Sequence, residues 1–273
     1  MADINSFIQT VKLPVMPEVA HALIRTLDDD DADVVMVRGI IAKDPALTTT
    51  LLRMANSAMF GLSRSVTSLE NAVSVVGMAQ IRARALGICM AQSFTLPPTI
   101  NRQEFWRYSM VCAGYAKFLA GHAKLDEQQA WLTGMMLRLG ELVIALHAPA
   151  LMTSLDAQPC PPGERWQRER TALGFDEGQI TARVAQRWDF PDEVVQALDY
   201  CTDAAAAVQV SHLCAVVHLA GRLADQASSL AAVQDGLRQA PPSVLAYLKL
   251  PVDRLVGQLP DPEGFSDISN LFA

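Results

Sequence analysis

WLTGMMLRLGELVIAL, residues 131–146, decides how the rest of the chain is read. Apart from Thr133, Arg138, Glu141 and two glycines, every residue in it is apolar. A bilayer crossing needs about 20 consecutive apolar residues, so this stretch is too short, and too interrupted by charge, to span a membrane. A helix apolar nearly all round belongs instead at the buried centre of a large helical domain. Gly134 and Gly140 lower its helix propensity, which is tolerable where a neighbouring backbone must come close.

Working outward, the 273 residues are 51% hydrophobic and 19% charged, ample for one or two well-buried domains. A formal net charge of −7 and a pI near 5.2 argue against general affinity for nucleic acid or for an anionic membrane. The opening Met-Ala-Asp-Ile-Asn has neither a positive n-region nor an apolar h-region, so no secretion signal is expected and a cytoplasmic location is. Five cysteines (Cys89, Cys112, Cys160, Cys201, Cys214) form no C-x-x-C pair and read as reduced thiols. Apolar residues recur at helical spacing and nowhere alternate convincingly, so an all-α chain is expected.

Upstream, Leu13-Pro14-Val15-Met16-Pro17 leads into a helix with Val19, Leu23, Ile24 and Leu27 on one face. Asp28, Asp29, Asp30, Asp31 and Asp33 follow. As a calcium loop counted from Asp29 the run fails, because Val34 holds the glycine position and Ile40 the twelfth; acidic residues at a helix N-terminus account for it. The next helix carries Val34, Val37, Ile40 and Ile41, and Asp44-Pro45 reads as an N-cap with proline at N1. The helix from Ala46 to Ala55 closes at Asn56-Ser57, and Ala58-Met59-Phe60-Gly61 reads as a turn back to the core. This helix pair could be a DNA-reading helix-turn-helix, but Thr48, Thr49, Thr50 and Arg53 make only a thin basic edge, and bundle packing is preferred. Ser68 starts another helix, Gly77 stops it, and a longer one runs from Met78 to about Phe94. There Arg82 and Arg84 are expected outside, and Ile81, Leu86, Ile88 and Met90 inside. Thr95-Leu96-Pro97-Pro98-Thr99 is the best linker candidate.

Downstream, Pro159-Cys160-Pro161-Pro162-Gly163 is a loop, Glu164 to Thr171 a charged helix, and Ala204 to about Ala224 one long helix. Ala240-Pro241-Pro242 and Leu250-Pro251 break the remainder into short helices. Phe265, Ile268, Leu271 and Phe272 have helical spacing and could dock on the body or on a partner. Cys214 and His218, four apart on one face, suit two metal ligands but lack a third, and small core residues are the simpler account. His147 ends the central stretch, where the helix dipole explains it. No G-x-S-x-G, Walker loop or dinucleotide fingerprint is present. The eleven methionines read as core gap-fillers, with an adaptable binding surface as the alternative.

Leu13-Pro14-x-Met16-Pro17, Asp44-Pro45-Ala46-Leu47, Ala55-Asn56-Ser57-Ala58-Met59-Phe60-Gly61, and Ser68-Leu69-x-x-Ala72 with Gly77 resemble, in order and spacing, the HDOD family of bacterial signalling proteins with HD-related output domains. The similarity extends to roughly residue 225. It implies an all-α, two-lobed helical bundle whose second lobe is related to the HD-domain phosphohydrolase fold. The expected division is 1–97 for the N-terminal bundle, 98–258 for the HD-like bundle and 259–273 for a C-terminal tail.

The resemblance also places the metal ligands of HD enzymes. Their first histidine falls at Tyr108, their adjacent His-Asp pair at Leu137-Arg138, and the aspartate of their last ligand helix at Gly221. Glu177 stands where the family often has histidine, and residues 197–201 where histidines are common. Every ligand is missing: leucine offers no lone pair, and a fixed positive charge at Arg138 repels a divalent cation. No metal or other cofactor is therefore expected. If buried, Arg138 needs a carboxylate, and Glu141 is the nearest in sequence. The resemblance singles out Asn56 as well, as a buried or half-buried anchor of the turn at Ala58–Gly61 or as a contact for a partner.

The expectation is a non-catalytic signal-transduction output module, free-standing and acting through protein contacts with one or more signalling partners. A homodimer is compatible with it, and neither a membrane nor nucleic acid is an expected partner. The alternatives are a degenerate HD-type phosphohydrolase acting on nucleotides or cyclic dinucleotides, and a DNA-binding regulator.

Overall fold

The computed structural model describes residues 3–57, 65–157, 160–268 and 271, and among them every regular element is helical: eighteen α-helices and one 3₁₀ turn. Short polar side chains start many of these helices. Asp33 accepts a hydrogen bond from Met36 N at 2.7 Å, Asp44 from Leu47 N at 2.9 Å and Ser68 from Asn71 N at 3.2 Å. The aspartate run thus ends in an N-cap. No single helix among the described residues is long and apolar enough to cross a membrane; Leu69–Val76 and Met78–Ser93 reach such a length only together, and the chain bends by 116° between them. Gly77 makes that bend at φ +96°, a conformation open to glycine and rarely to other residues.

The chain divides into two compact units. The smaller takes Pro14–Thr95, Trp188–Pro191 and the chain from Asp267. Its core holds Leu23, Ile24, Val37, Ile41, Leu51, Ile81 and Leu86, each essentially without exposure. The Trp188 indole N–H donates to Pro14 O at 3.2 Å, and its ring meets Phe94 edge-on. Arg84 corrects the expectation of an outward face. It is buried, and burial lowers its guanidinium to about 9, while Arg82 donates to the Thr26 carbonyl. The helix Met78–Ser93 is covered on nearly every side along residues 83–91, which leaves no outward stripe for both arginines.

The larger unit takes the chain up to Leu13, Leu96–Arg187 and Asp192–Ser266. Two departures from the expected division follow. The helix Ile4–Thr10 belongs here, with Ile8 buried and Phe7 packed on Phe175. The expected tail is no separate piece either. Tyr115 donates its hydroxyl proton to Pro260 O at 3.1 Å, and the Phe265 ring lies edge-on to Tyr115 in a notch that Gly114 leaves open. Phe272 lies outside the described residues.

The centre is the helix Arg102–Ala123 packed on Glu127–Met136 and His212–Asp225. Gly134 permits the first approach, since a Cβ there would stand 2.9 Å from Ala116 Cβ and 3.1 Å from Cys112 O. Residues 131–145 are buried apart from the half-buried Arg138, as their composition requires, but they are not one helix. The helix ends at Met136 and a second, Leu139–His147, begins after Leu137 and Arg138. Thr181 covers the polar groups that the break frees: its hydroxyl accepts from Gly140 N at 2.8 Å and lies 3.0 Å from Leu137 O and 2.8 Å from Glu177 O. A side chain at Gly140 would overlap the Glu177 carbonyl, so the close approach demanded by both glycines is real. The expected long helix from Ala204 likewise breaks at Ser211, whose hydroxyl caps the helix His212–Asp225 by accepting from Cys214 N. All five cysteines are free, and four are buried; Cys160 is exposed.

Candidate functional site

The break between the two central helices brings the four lost-ligand positions together. Tyr108, on Arg102–Ala123, donates its hydroxyl proton to Gly221 O at 3.2 Å. A Cβ on Gly221 would stand 2.7 Å from Leu137 Cδ2 and 3.1 Å from Trp166 Cζ2, so Leu137 and Trp166 fill the space that a ligand at 221 would need. Arg138 lies over Tyr108, its guanidinium carbon 3.1 Å from the ring centroid.

Around Arg138 stands a ring of carboxylates from three other elements. Its Nη2 meets Asp225 Oδ1 at 2.8 Å, and its Nε lies 3.5 Å from Glu141 Oε2 and 3.8 Å from Glu177 Oε1. Glu141 is the partner proposed from sequence, yet Asp225 is the closest. Arg165 adds a second cation, 3.1 Å from both Glu141 Oε1 and Glu169 Oε1, and 3.8 Å from Glu177 Oε2. N–H groups also donate into the cluster: Trp166 Nε1 to Glu177 Oε1, the oxygen that faces Arg138, at 2.8 Å, Glu177 N to Glu169 Oε2 at 2.7 Å, and Gly163 N to Asp225 Oδ2 at 3.0 Å.

Burial shapes the protonation of this cluster. It would lower the pKa of Arg138, but Tyr108, Glu177, Asp225 and Glu141 more than offset it, so the guanidinium stays charged. Burial raises Glu177 to about 7 against the opposing pull of Arg138 and Arg165. Glu169 is pushed well above the usual carboxylate range, first by burial and then by Glu177.

An HD-type metal needs imidazole and carboxylate donors converging on one point. Here the four positions supply a phenol already bonded to a carbonyl, a leucine, a guanidinium and a glycine, and the residues do not fit the group. Among the described residues, no three His, Cys, Asp or Glu side chains are placed to hold a metal ion. Cys214 and His218 turn to backbone instead. Cys214 Sγ donates to Ala197 O at 3.4 Å, and His218 Nδ1, 2.6 Å from Cys201 O, must carry the proton because a carbonyl only accepts. Burial lowers His218 to about 4, which keeps it neutral. His147 is exposed at its helix end.

In the smaller unit, Asn56 ends the helix Pro45–Ala55 and makes four bonds. Its Nδ2 donates to Leu52 O at 2.8 Å and Val66 O at 2.7 Å; its Oδ1 accepts from Val66 N at 2.7 Å and Ser65 Oγ at 3.2 Å. It is an anchor, but an exposed one, and it clasps Val66. The expected buried setting is wrong because this clasp lies at the surface; the Ala58–Gly61 turn lies outside the described residues. Sequence reasoning missed Asp225, Arg165, Trp166 and Glu169. A signal existed for two of them: Asp225 lies one helical turn beyond Gly221, and Arg165 pairs with Glu169 at i,i+4.

Comparison with known proteins bears on family and fold. The HDOD domain family matches residues 13–204. The cyclic di-GMP phosphodiesterase CdgJ of Vibrio cholerae is 28% identical over 204 residues, which is 64% of this chain and 46% of that protein. The chain spans under half the length of the curated relatives it matches. A solved structure of a proposed phosphohydrolase from Shewanella amazonensis aligns with a TM-score of 0.78 at 22% identity, covering 97% of this chain and 98% of that one. An HDOD domain protein of unknown function from Geobacter sulfurreducens aligns at 0.77 and 21%, covering 98% and 97%. At such identities the structures speak for the fold alone, an HD-like helical bundle. The family match covers well over half of the residues, and the chain belongs to the HDOD domain family.

Proposed function

We propose that this chain is a signal-transduction output module that acts through protein contacts and turns over no phosphate ester. Membership of the HDOD family supports the signalling role. The observation that carries the non-catalytic part is the replacement of the whole ligand set: Arg138 lies on Tyr108, and Leu137 with Trp166 fills the room at Gly221. Activation of water at neutral pH in this fold is the work of a metal, and these residues offer it no donor set.

The competing reading is a phosphodiesterase, since the Vibrio relative bears that name. Under half of that protein is matched, and its activity does not transfer with the match. The test is an assay of purified protein with manganese, magnesium or ferrous ion against cyclic di-GMP and nucleoside phosphates. No turnover is expected, and none from the double variant Leu137→His, Arg138→Asp, because Tyr108 and Gly221 still leave the coordination sphere half empty. Turnover lost on substituting Glu141 or Glu177 would overturn the reading.

A further inference from the structure

The carboxylates at the centre of the larger unit have a task that no phosphoryl chemistry explains. Glu141, Glu177 and Asp225 come from three different helices, and each puts an oxygen toward Arg138. Without that cation the like charges repel across a low-dielectric interior: Arg165 still stands beside the two glutamates, but Asp225 loses the guanidinium and keeps the neutral Gly163 N–H. The way they are spread matters as much as their charge. Asp225 meets Nη2, the two glutamates lie on the side of Nε, and the Tyr108 ring lies against the guanidinium carbon, 3.1 Å from its centroid. A planar, delocalised cation fits such a surround; a metal ion, with ligand distances near 2 Å, would leave most of these oxygens out of reach.

We propose that Arg138 is a resident cation. Its tethered guanidinium permanently holds together the helices that meet at the break after Met136, in a seat shaped for a planar organic cation. Asp225 is the device that completes the seat: one turn beyond Gly221, it presents its carboxylate to the guanidinium and anchors its other oxygen on Gly163 N. This inference is independent of what the module binds.

Chemical rescue tests it. Arg138→Ala is expected to lower the melting temperature by roughly 10 °C, the scale for unpairing a buried ion pair in a domain of this size. Methylguanidinium chloride at about 10 mM, well below denaturing concentrations, should recover part of that loss by mass action. Sodium chloride at equal ionic strength and manganese chloride should not, and wild type should gain nothing from methylguanidinium. Asp225→Asn should lower wild-type stability clearly and Arg138→Ala hardly further, since the two residues act as a pair. If Arg138→Ala does not fold in any of these buffers, Arg138→Gln, of similar length without the charge, carries the same comparison. Wild-type stability in the variant, recovery no greater than with sodium chloride, or stronger recovery with manganese would each overturn the proposal.

Discussion

Asn56 and Arg138 are both polar side chains that hold a turn of the chain in place, and they do it in opposite ways. Asn56 is exposed, uncharged and satisfied by partners no more than ten residues away. Arg138 is largely buried, charged and held by Tyr108 from 30 residues before it and by Asp225 from 87 residues after it. Water can take over much of what Asn56 does. Water cannot take over for Arg138, because breaking a buried pair leaves uncompensated charge. The first kind of anchor is a local property of a motif; the second is a property of the assembled core.

Substitutions should separate the two in size. Glu177→Ala would take one partner from both Arg138 and Arg165 and leave the Trp166 N–H without an acceptor. A loss of about 3–5 kcal/mol is expected, read as the denaturant midpoint of unfolding. Asn56→Leu removes all four bonds of the clasp at an exposed site, and roughly 1–3 kcal/mol is expected, toward the lower end. A loss at Asn56 equal to that at Glu177 would abolish the contrast.

A pH series sharpens it further. Burial holds Glu177 at about 7, above the value near 4.3 of an unfolded chain. A carboxyl raised by folding contributes stability that is complete below its unfolded pKa and is lost as pH climbs through its folded one. Melting temperature should therefore fall between about pH 5 and pH 8, by a few degrees more in wild type than in Glu177→Gln. Asn56→Leu, which touches no titrating group, should keep the wild-type slope. The smallest effect is expected at Val35, an apolar residue 62% exposed on the helix Val34–Ile41. Val35→Ser should shift unfolding by under about 0.5 kcal/mol, since surface changes away from anchors rarely do more.

The same contrast explains what could be read from sequence. Helix starts at Asp33, Asp44 and Ser68 were legible because a cap is settled within three residues. The burial of residues 131–145 was legible from composition, and the convergence of Tyr108, Leu137, Arg138 and Gly221 from the family pattern. The break at Leu137-Arg138 was not, because it depends on the Thr181 hydroxyl and on the Glu177 backbone against Gly140, both some forty residues away. Arg84 misled because one arginine in a helix covered on almost every side looks, in sequence, like an outward face. Asp225 lay in plain view, but its meaning required knowing that the guanidinium of Arg138 points at it.

The distribution of thiols turns this chain into a convenient object for spectroscopy. Cys89, Cys112, Cys201 and Cys214 are buried, and burial raises each thiol's pKa, so they stay protonated and shielded from alkylating reagents. Cys160 is exposed, three residues before Gly163, whose N–H holds Asp225. A fluorophore attached there without removing any other cysteine would sit beside the ion-paired core of the larger unit. Its emission would follow the opening of that core alone, at concentrations far below those that calorimetry requires.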